Sequence, residues 1–357
     1  MLSFIAQRLG MMILVLAGLI TVTFLMTQVL PGDPARAAAG RNATVEQVDA
    51  ARERLGLDQP VHEQYVSYVS RVAQGDLGTS VFTQRPVIED IAQVLPSSVE
   101  LVLAAMLINV AVALPLGVVS AYRRGKGADL SARLVALLGA AVPVFWLGLI
   151  LQAFLSARWG LFPLTGHLGF GSSVPTVTGM TTVDALLAGD PSTFGEAISH
   201  LVLPAITLAA AYIAVVTRTL RSTMIGALDA DYITLARATG ASEWRVVISH
   251  GLRNALVPTS TILGMQLGWM LGSTVLVESI FGRVGVGAYS VTAVLQNDLY
   301  AVIGAVLVIG VVFILANFVV DLLQLWLNPR LRKGKRRERA GADESAAEAS
   351  DLAGERT

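Results

Sequence analysis

The chain contains no cysteine. A disulfide scaffold, a thiol redox centre and a cysteine-ligated metal are therefore excluded. Charge is sparse too. Asp, Glu, Lys and Arg make up 15% of the 357 residues, where a soluble domain carries about a quarter. Lysine occurs only at Lys126, Lys333 and Lys335. No Gly-x-x-x-x-Gly-Lys phosphate loop is present, which excludes nucleotide hydrolysis by that route. The apolar runs hold almost no ionisable residue between their ends. Glu100 and Arg218 lie near run ends, and Asp321 sits in the last turns of the final run. Proton- or ion-coupled carriers normally use buried titratable groups as relays. Their scarcity predicts that the energy for any transport arrives through a partner. The four histidines, His62, His167, His200 and His250, are far apart and lack ligand spacing, so structural roles are expected rather than a metal site.

What the chain has is apolar length. Apolar residues make up 54% of it, and mean hydropathy is +0.63. Six runs, at approximately 9–30, 97–121, 131–156, 197–220, 257–277 and 300–327, are each long enough for a hydrocarbon core of about 30 Å. The expected fold class is all-α, a polytopic membrane protein with six transmembrane helices. The first run follows Arg8 and precedes Ala37-Ala38-Ala39, which looks like a cleavage site. It is longer than a signal-peptide core, so a retained span is expected.

Formal net charge is zero, but arginine is distributed unevenly. One set of flanks holds Arg8, then Arg123, Arg124 and Arg133, then Arg218 through Arg253, then Arg330 through Arg339. The opposite short loops hold only Arg158 and Arg283. The positive-inside rule then places both termini, and the segment 229–258, in the cytoplasm.

The connections divide the chain further. Residues 1–30 are the N-terminus and first span. Residues 31–96 read as an outer helical subdomain: Pro31, Gly32 and Pro34 end the first span, and Val45, Val48, Ala51 and Leu55 recur at helical spacing. A second short helix is expected over 60–73, with a turn at Gly75-Asp76-Leu77-Gly78. Residues 97–327 form a five-span core. Its outer loop, 157–196, is rich in Gly, Thr, Ser and Pro and reads either as disordered or as a contact for an extracytoplasmic partner. The tail, 328–357, is basic and then acidic and Ala-rich. Disorder is expected there, with the basic part held against anionic lipid.

The most informative segment is 229–258, charged and helical in spacing, between two apolar runs. Asp231 is positioned to cap a short helix, and Gly240 to end it in a left-handed conformation. Ser242 then caps a second helix, with Glu243 in its first turn. Trp244, Val247, Ile248 and Leu252 fall on one face of that helix, and Arg245, Ser249 and Arg253 on the other. Pro258 marks the return to the membrane. The expectation is a helix–elbow–helix.

Asp231-Tyr232, Ala236-Arg237-Ala238, Gly240, His250, Asn254 and Pro258 resemble the "EAA" loop of ABC-importer permeases of the dipeptide, oligopeptide and nickel type. The resemblance extends over nearly the whole chain: Leu30-Pro31-Gly32-Asp33-Pro34, Leu55-Gly56-Leu57-Asp58, Gly75-Asp76-Leu77-Gly78, Leu95-Pro96 with Glu100-Leu101, Pro143 through Gly148, His200 through Pro204, and Val277-Glu278-Ser279-Ile280-Phe281. Val284, Gln324 and Asn328 depart from the usual family residues. The resemblance implies a type I ABC importer permease fold in a bacterial inner membrane. It implies a permease subunit, not an enzyme by itself, taking up di- or oligopeptides. Nickel chelates or glutathione-like solutes are the alternative cargo, and an ATPase-independent secondary carrier the alternative class. The implied partners are a second permease, two ATP-binding subunits that carry ATP and Mg, and an extracytoplasmic solute-binding protein, with no nucleic acid. No cofactor is implied in this chain.

The coupling loop would span 221–256. Asp231, Tyr232, Ala236, Arg237, Ala238 and Gly240 would contact the ATPase, supported by His250, Arg253, Asn254 and Pro258. Gly264, Gly268 and Gly272 form a small-residue stripe, with Gln266 and Ser273 as polar neighbours. It reads either as packing inside the chain or as contact with a second permease along the pathway.

Overall fold

A computed structural model describes residues 2–29, 33–40 and 43–327. The expected break at Pro31 and Gly32 and the tail with its basic cluster lie outside the described residues. Among the described residues the secondary structure is helical, with one isolated bridge between Thr79 and Pro86. Among the described residues five helices are long and apolar enough to cross a membrane, and a bent helix pair, counted as one span, makes six.

The first span is α1, Leu2–Val29. Three short helices follow: α2 (Pro34–Ala39), α3 (Val45–Arg54) and α4 (Val61–Ala73). Local chemistry sets their starts. Asp33 caps α2, with Pro34 at its first position, and a Thr44–Gln47 capping box opens α3. Ala35, Val48 and Ala51 close a small core, and Asp33 also accepts from Arg52 at 2.6 Å. Tyr65 and Tyr68 hydrogen-bond Thr21 and Thr23, which lays α4 along α1.

The core is α5 (Val87–Tyr122), α6 (Gly127–Ala141), α7 (Val144–Leu151, continued by a π-turn to Arg158), α8 (Thr181–Leu187), α9 (Pro191–Leu228), α10 (Asp231–Ala238), α11 (Arg253–Phe281), α12 (Val286–Leu295) and α13 (Leu299–Leu327). Two expectations need correction. The run 131–156 is not one straight span: α6 and α7 are bent by 98°. Pro143 has no N–H to donate and holds Val142 in an extended conformation, φ −85° and ψ 128°. The core helix α5 also begins at Val87, inside the segment 31–96 read as the outer subdomain. At about 1.5 Å per residue, the 36 residues of α5 and the 38 of α9 exceed the bilayer core and project beyond it.

Helices in lipid gain little from apolar burial and depend on close packing and polar ties. Both are present. Leu101, Leu203, Leu208 and Met270 interlock α5, α9 and α11. Asn109 donates to Gln266 at 2.7 Å, Gln266 donates to the Tyr212 carbonyl at 3.2 Å, and Tyr212 and Ser273 share a 2.7 Å hydrogen bond. Each such tie contributes about 0.6 kcal/mol on average.

The outer loop is anchored rather than disordered. It contains α8, whose buried Asp184 accepts from Thr178 and Gly179, and Glu196 accepts from Gly169. Phe170 stands fully exposed between Gly169 and Gly171.

Candidate functional site

The charged segment folds as a helix–elbow–helix. Ile233 is fully buried and roots α10. The elbow is a Schellman closure: Ala241 N–H donates to the Ala236 carbonyl and Gly240 N–H to that of Arg237, both at 3.0 Å. Gly240 has φ +83°, and a Cβ there would meet no atom within 4 Å. The glycine serves the turn, not a tight contact. Asp231 differs from expectation. Ala230 holds the cap position, and the exposed Asp231 is the first helical residue without a capping bond.

Arg237 and Glu243 form an ion pair across the elbow, at 3.0 Å. Both are about half exposed, so the pair contributes at most about 1 kcal/mol; its effect is to fix the angle of the tip. Ser242 precedes the second helix, and its carbonyl, rather than its hydroxyl, makes the first bond, from Val246 N–H.

That second helix is a π-turn, Arg245–Leu252, running directly into α11. The extra residue per turn rotates the face read from ordinary helical spacing. Val246, Val247, Gly251 and Ala255 are buried, whereas Trp244 is 75% exposed. Gly251 lets the segment close onto Leu228 and Met224 of α9. Pro258 lies inside a continuous α11 and does not break it. Asn254 donates to Tyr232 Oη at 3.0 Å and to the His250 carbonyl at 2.9 Å, which clips α10 to the second helix. Arg253 is exposed on the same surface. Asp231, Tyr232, Ala236, Arg237, Ala238 and Gly240 are thus gathered on one protrusion, with His250 and Asn254 at its base, and its root is packed against α9 and α5.

The glycine stripe is divided. Gly264 and Gly268 sit directly against Val320 and Phe313 of α13, so they pack inside this chain, and the second-permease reading does not fit them. Gly272 is exposed and open. Gln266 is fully buried in the Asn109–Tyr212 tie.

Buried charge was underread. Glu100, Glu278, Asp129, Asp298 and Arg283 are all buried. Glu100 falls near the start of the run 97–121 and Glu278 one residue beyond the run 257–277, and neither position by itself shows burial against another helix. Arg283 donates to Glu100 at 3.1 Å. Glu278 accepts from Ser98 and from Ala288 N–H, and Glu100 also accepts from Thr182. These groups tie the ends of α5, α8 and α11 together.

His167 joins the same cluster: its Nε2 accepts from Val284 N–H at 2.9 Å. Burial, with the positive charge of Arg283, pushes its pKa from 6.5 down to about 4. The unfolded chain therefore binds a proton near 6.5 that the folded chain refuses until about 4. Stability falls as pH drops through that window, by up to roughly 3 kcal/mol. Thermal unfolding in detergent from pH 7 to pH 4.5 is expected to show a steeper loss for the native chain than for His167→Gln. Equal slopes would mean that His167 is not held neutral.

The sequence profile of the "Binding-protein-dependent transport system inner membrane component" family matches residues 113–333, and the profile of its N-terminal region matches residues 1–102. The chain is 41% identical over 333 residues to the "Probable D,D-dipeptide transport system permease protein" of Escherichia coli (strain K12), covering 93% of this chain and 98% of that protein. It is 40% identical over 333 residues to a di/tripeptide transport system permease protein of Pseudomonas aeruginosa, covering 93% and 99%. It is 35% identical over 332 residues to a glutathione transport system permease protein of Salmonella choleraesuis, again covering 93% and 99%.

Proposed function

We propose, for a chain that belongs to the family of binding-protein-dependent transport system inner membrane components, that it is one half of a paired permease importing di- or oligopeptides. The observation that carries the reading is the protrusion: an exposed tip whose angle is set by Gly240 and the Arg237–Glu243 pair, and whose root is locked onto α9. Such an element can pass a push on its tip into the spans as a rigid-body movement. In this reading Asp231, Tyr232, Ala236, Arg237, Ala238 and Gly240 seat in a cleft of an ATP-binding subunit. ATP and Mg are bound there, and this chain itself hydrolyses nothing. Both termini and the protrusion face the cytoplasm, as the arginine distribution supports. The peptide cargo is supported by the names of the relatives at about 40% identity, and a glutathione-like solute is the second reading.

The partners are a second permease, two ATP-binding subunits and an extracytoplasmic solute-binding protein. The exposed Phe170, flanked by glycines on the outer loop, is the feature offered to the binding protein. An ATPase-independent carrier finds less support, because Glu100, Glu278, Asp129 and Asp298 are each held by hydrogen bonds rather than left as relays.

Purification from native membrane in mild detergent is expected to recover the second permease, both ATPases and the binding protein, whose bound ligand identifies the cargo. A chain lacking 168–180 is expected to keep the ATPases and lose the binding protein. Repeated recovery of this chain alone would overturn the importer reading, and retention of the binding protein by the deletion would overturn the loop assignment.

A further inference from the structure

A cavity of about 600 Å³ opens between α6 and α9. Arg133, Arg218 and Arg221 line it together with Leu130, and Leu134 and Leu137 continue its apolar wall further along α6. Two of the three guanidiniums meet one carboxylate, Asp129. Arg221 grips Asp129 through two bonds of 2.9 and 2.8 Å, and Arg133 approaches it at 3.2 Å. Asp129 also accepts from Ser120 and from Gly125 N–H, so its oxygens are fully engaged. Arg218 is exposed and makes no hydrogen bond or ion pair with any described residue. The site therefore carries an unneutralised positive charge beside exposed leucines.

We propose that this cavity binds an anionic phospholipid, with Arg218 and Arg133 on its phosphate and the leucines along its acyl chain. The depth profile fits. Asp129 lies in the first turn of α6, just after the basic Arg123–Lys126 turn, and Leu137 lies about 12 Å further along the helix, toward the bilayer interior. A charged head above an apolar wall is the pattern of a lipid site at a membrane surface. A transported peptide also brings a carboxylate, but its ammonium group finds no free acid here. The proposal rests on the cytoplasmic placement of these helix ends.

The test uses the assembled complex in bilayer discs of phosphatidylethanolamine with and without phosphatidylglycerol. Lipid retained by the complex is counted by native mass spectrometry. Arg218 has no protein partner to lose, so R218Q is expected to fold and assemble. It should retain phosphatidylglycerol about fivefold less than the native complex, the equivalent of roughly 1 kcal/mol for one cation at the surface, and R218K should retain it as the native chain does. Equal retention in R218Q would overturn the proposal. So would displacement of the lipid by a dipeptide, or cross-linking of a photoreactive residue at Leu137 to the second permease in place of lipid. Placement is read separately. The chain has no cysteine, so K126C alone should react with an impermeant maleimide from the cytoplasmic side only. The wrong side would sink the placement, whereas the right side with unchanged lipid retention would sink the lipid site alone.

Discussion

Replacing Arg283 with methionine is expected to lower the unfolding midpoint of the purified protein by several degrees, reflecting a loss of about 3–5 kcal/mol. Arg283 and Glu100 are both buried, at 1% and 4% side-chain exposure. Removing the cation leaves Glu100 charged and uncompensated, with Glu278 fully buried close by. Ser98, Thr182 and backbone N–H groups still hydrogen-bond the two carboxylates, but they carry no charge to offset. Arg283→Lys should fall between, since it keeps the charge and loses the planar guanidinium. Adding Glu100→Gln to the methionine variant should recover part of the loss, because the buried charge is then gone. A methionine variant that melts like the native chain would show that water reaches this pair.

Arg237→Glu and Gly240→Asp are each expected to leave the protein inserted and assembled, while peptide uptake falls at least tenfold and ATP hydrolysis no longer responds to substrate. Both residues are exposed, so neither change disturbs a core. At Gly240 the penalty is conformational. Its φ of +83° suits glycine and costs another residue about 1–2 kcal/mol. At position 237 the substitution sets two carboxylates against each other across the elbow in place of the 3.0 Å pair. The double variant Arg237→Glu/Glu243→Arg restores the attraction and is expected to restore most uptake, which would assign Arg237 to positioning the tip. If uptake stays lost in the double variant, Arg237 acts on an acidic group of the ATPase instead. Unchanged uptake in both single variants would remove the coupling role.

Much of the architecture was legible from pattern alone. Six apolar runs, the short helices α3 and α4, the elbow at Gly240 and the gathering of the 231–240 residues all follow from periodicity and turn chemistry, which act over a few neighbouring residues. The family motifs were equally local. The misreadings share a cause as well. A spacing of 3.6 residues per turn sets Trp244 on one face with Val247 and Ile248, whereas a π-turn follows it and the structure leaves Trp244 exposed while Val247 is buried. For Gly264 and Gly268 the pattern left open packing inside the chain or contact with a second permease, and the structure sets them against α13, while Gln266 is tied to α5 and α9. Small or polar residues in an apolar helix announce a close neighbour without naming it.

The buried ion pair makes the same point at longer range. Arg283 and Glu100 are 183 residues apart. Each reads as a charge near the end of an apolar run until the helix ends meet. The sequence by itself determined the class, the membrane-crossing segments and the chemistry of the exposed tip, because those depend on local propensity and on the cost of placing charge in lipid. Only the tertiary structure decided which glycines pack inward, which carboxylates are neutralised, and that Arg218 has no hydrogen-bond or ion-pair partner among the described residues. Those outcomes depend on distances between helices, and no local pattern encodes them.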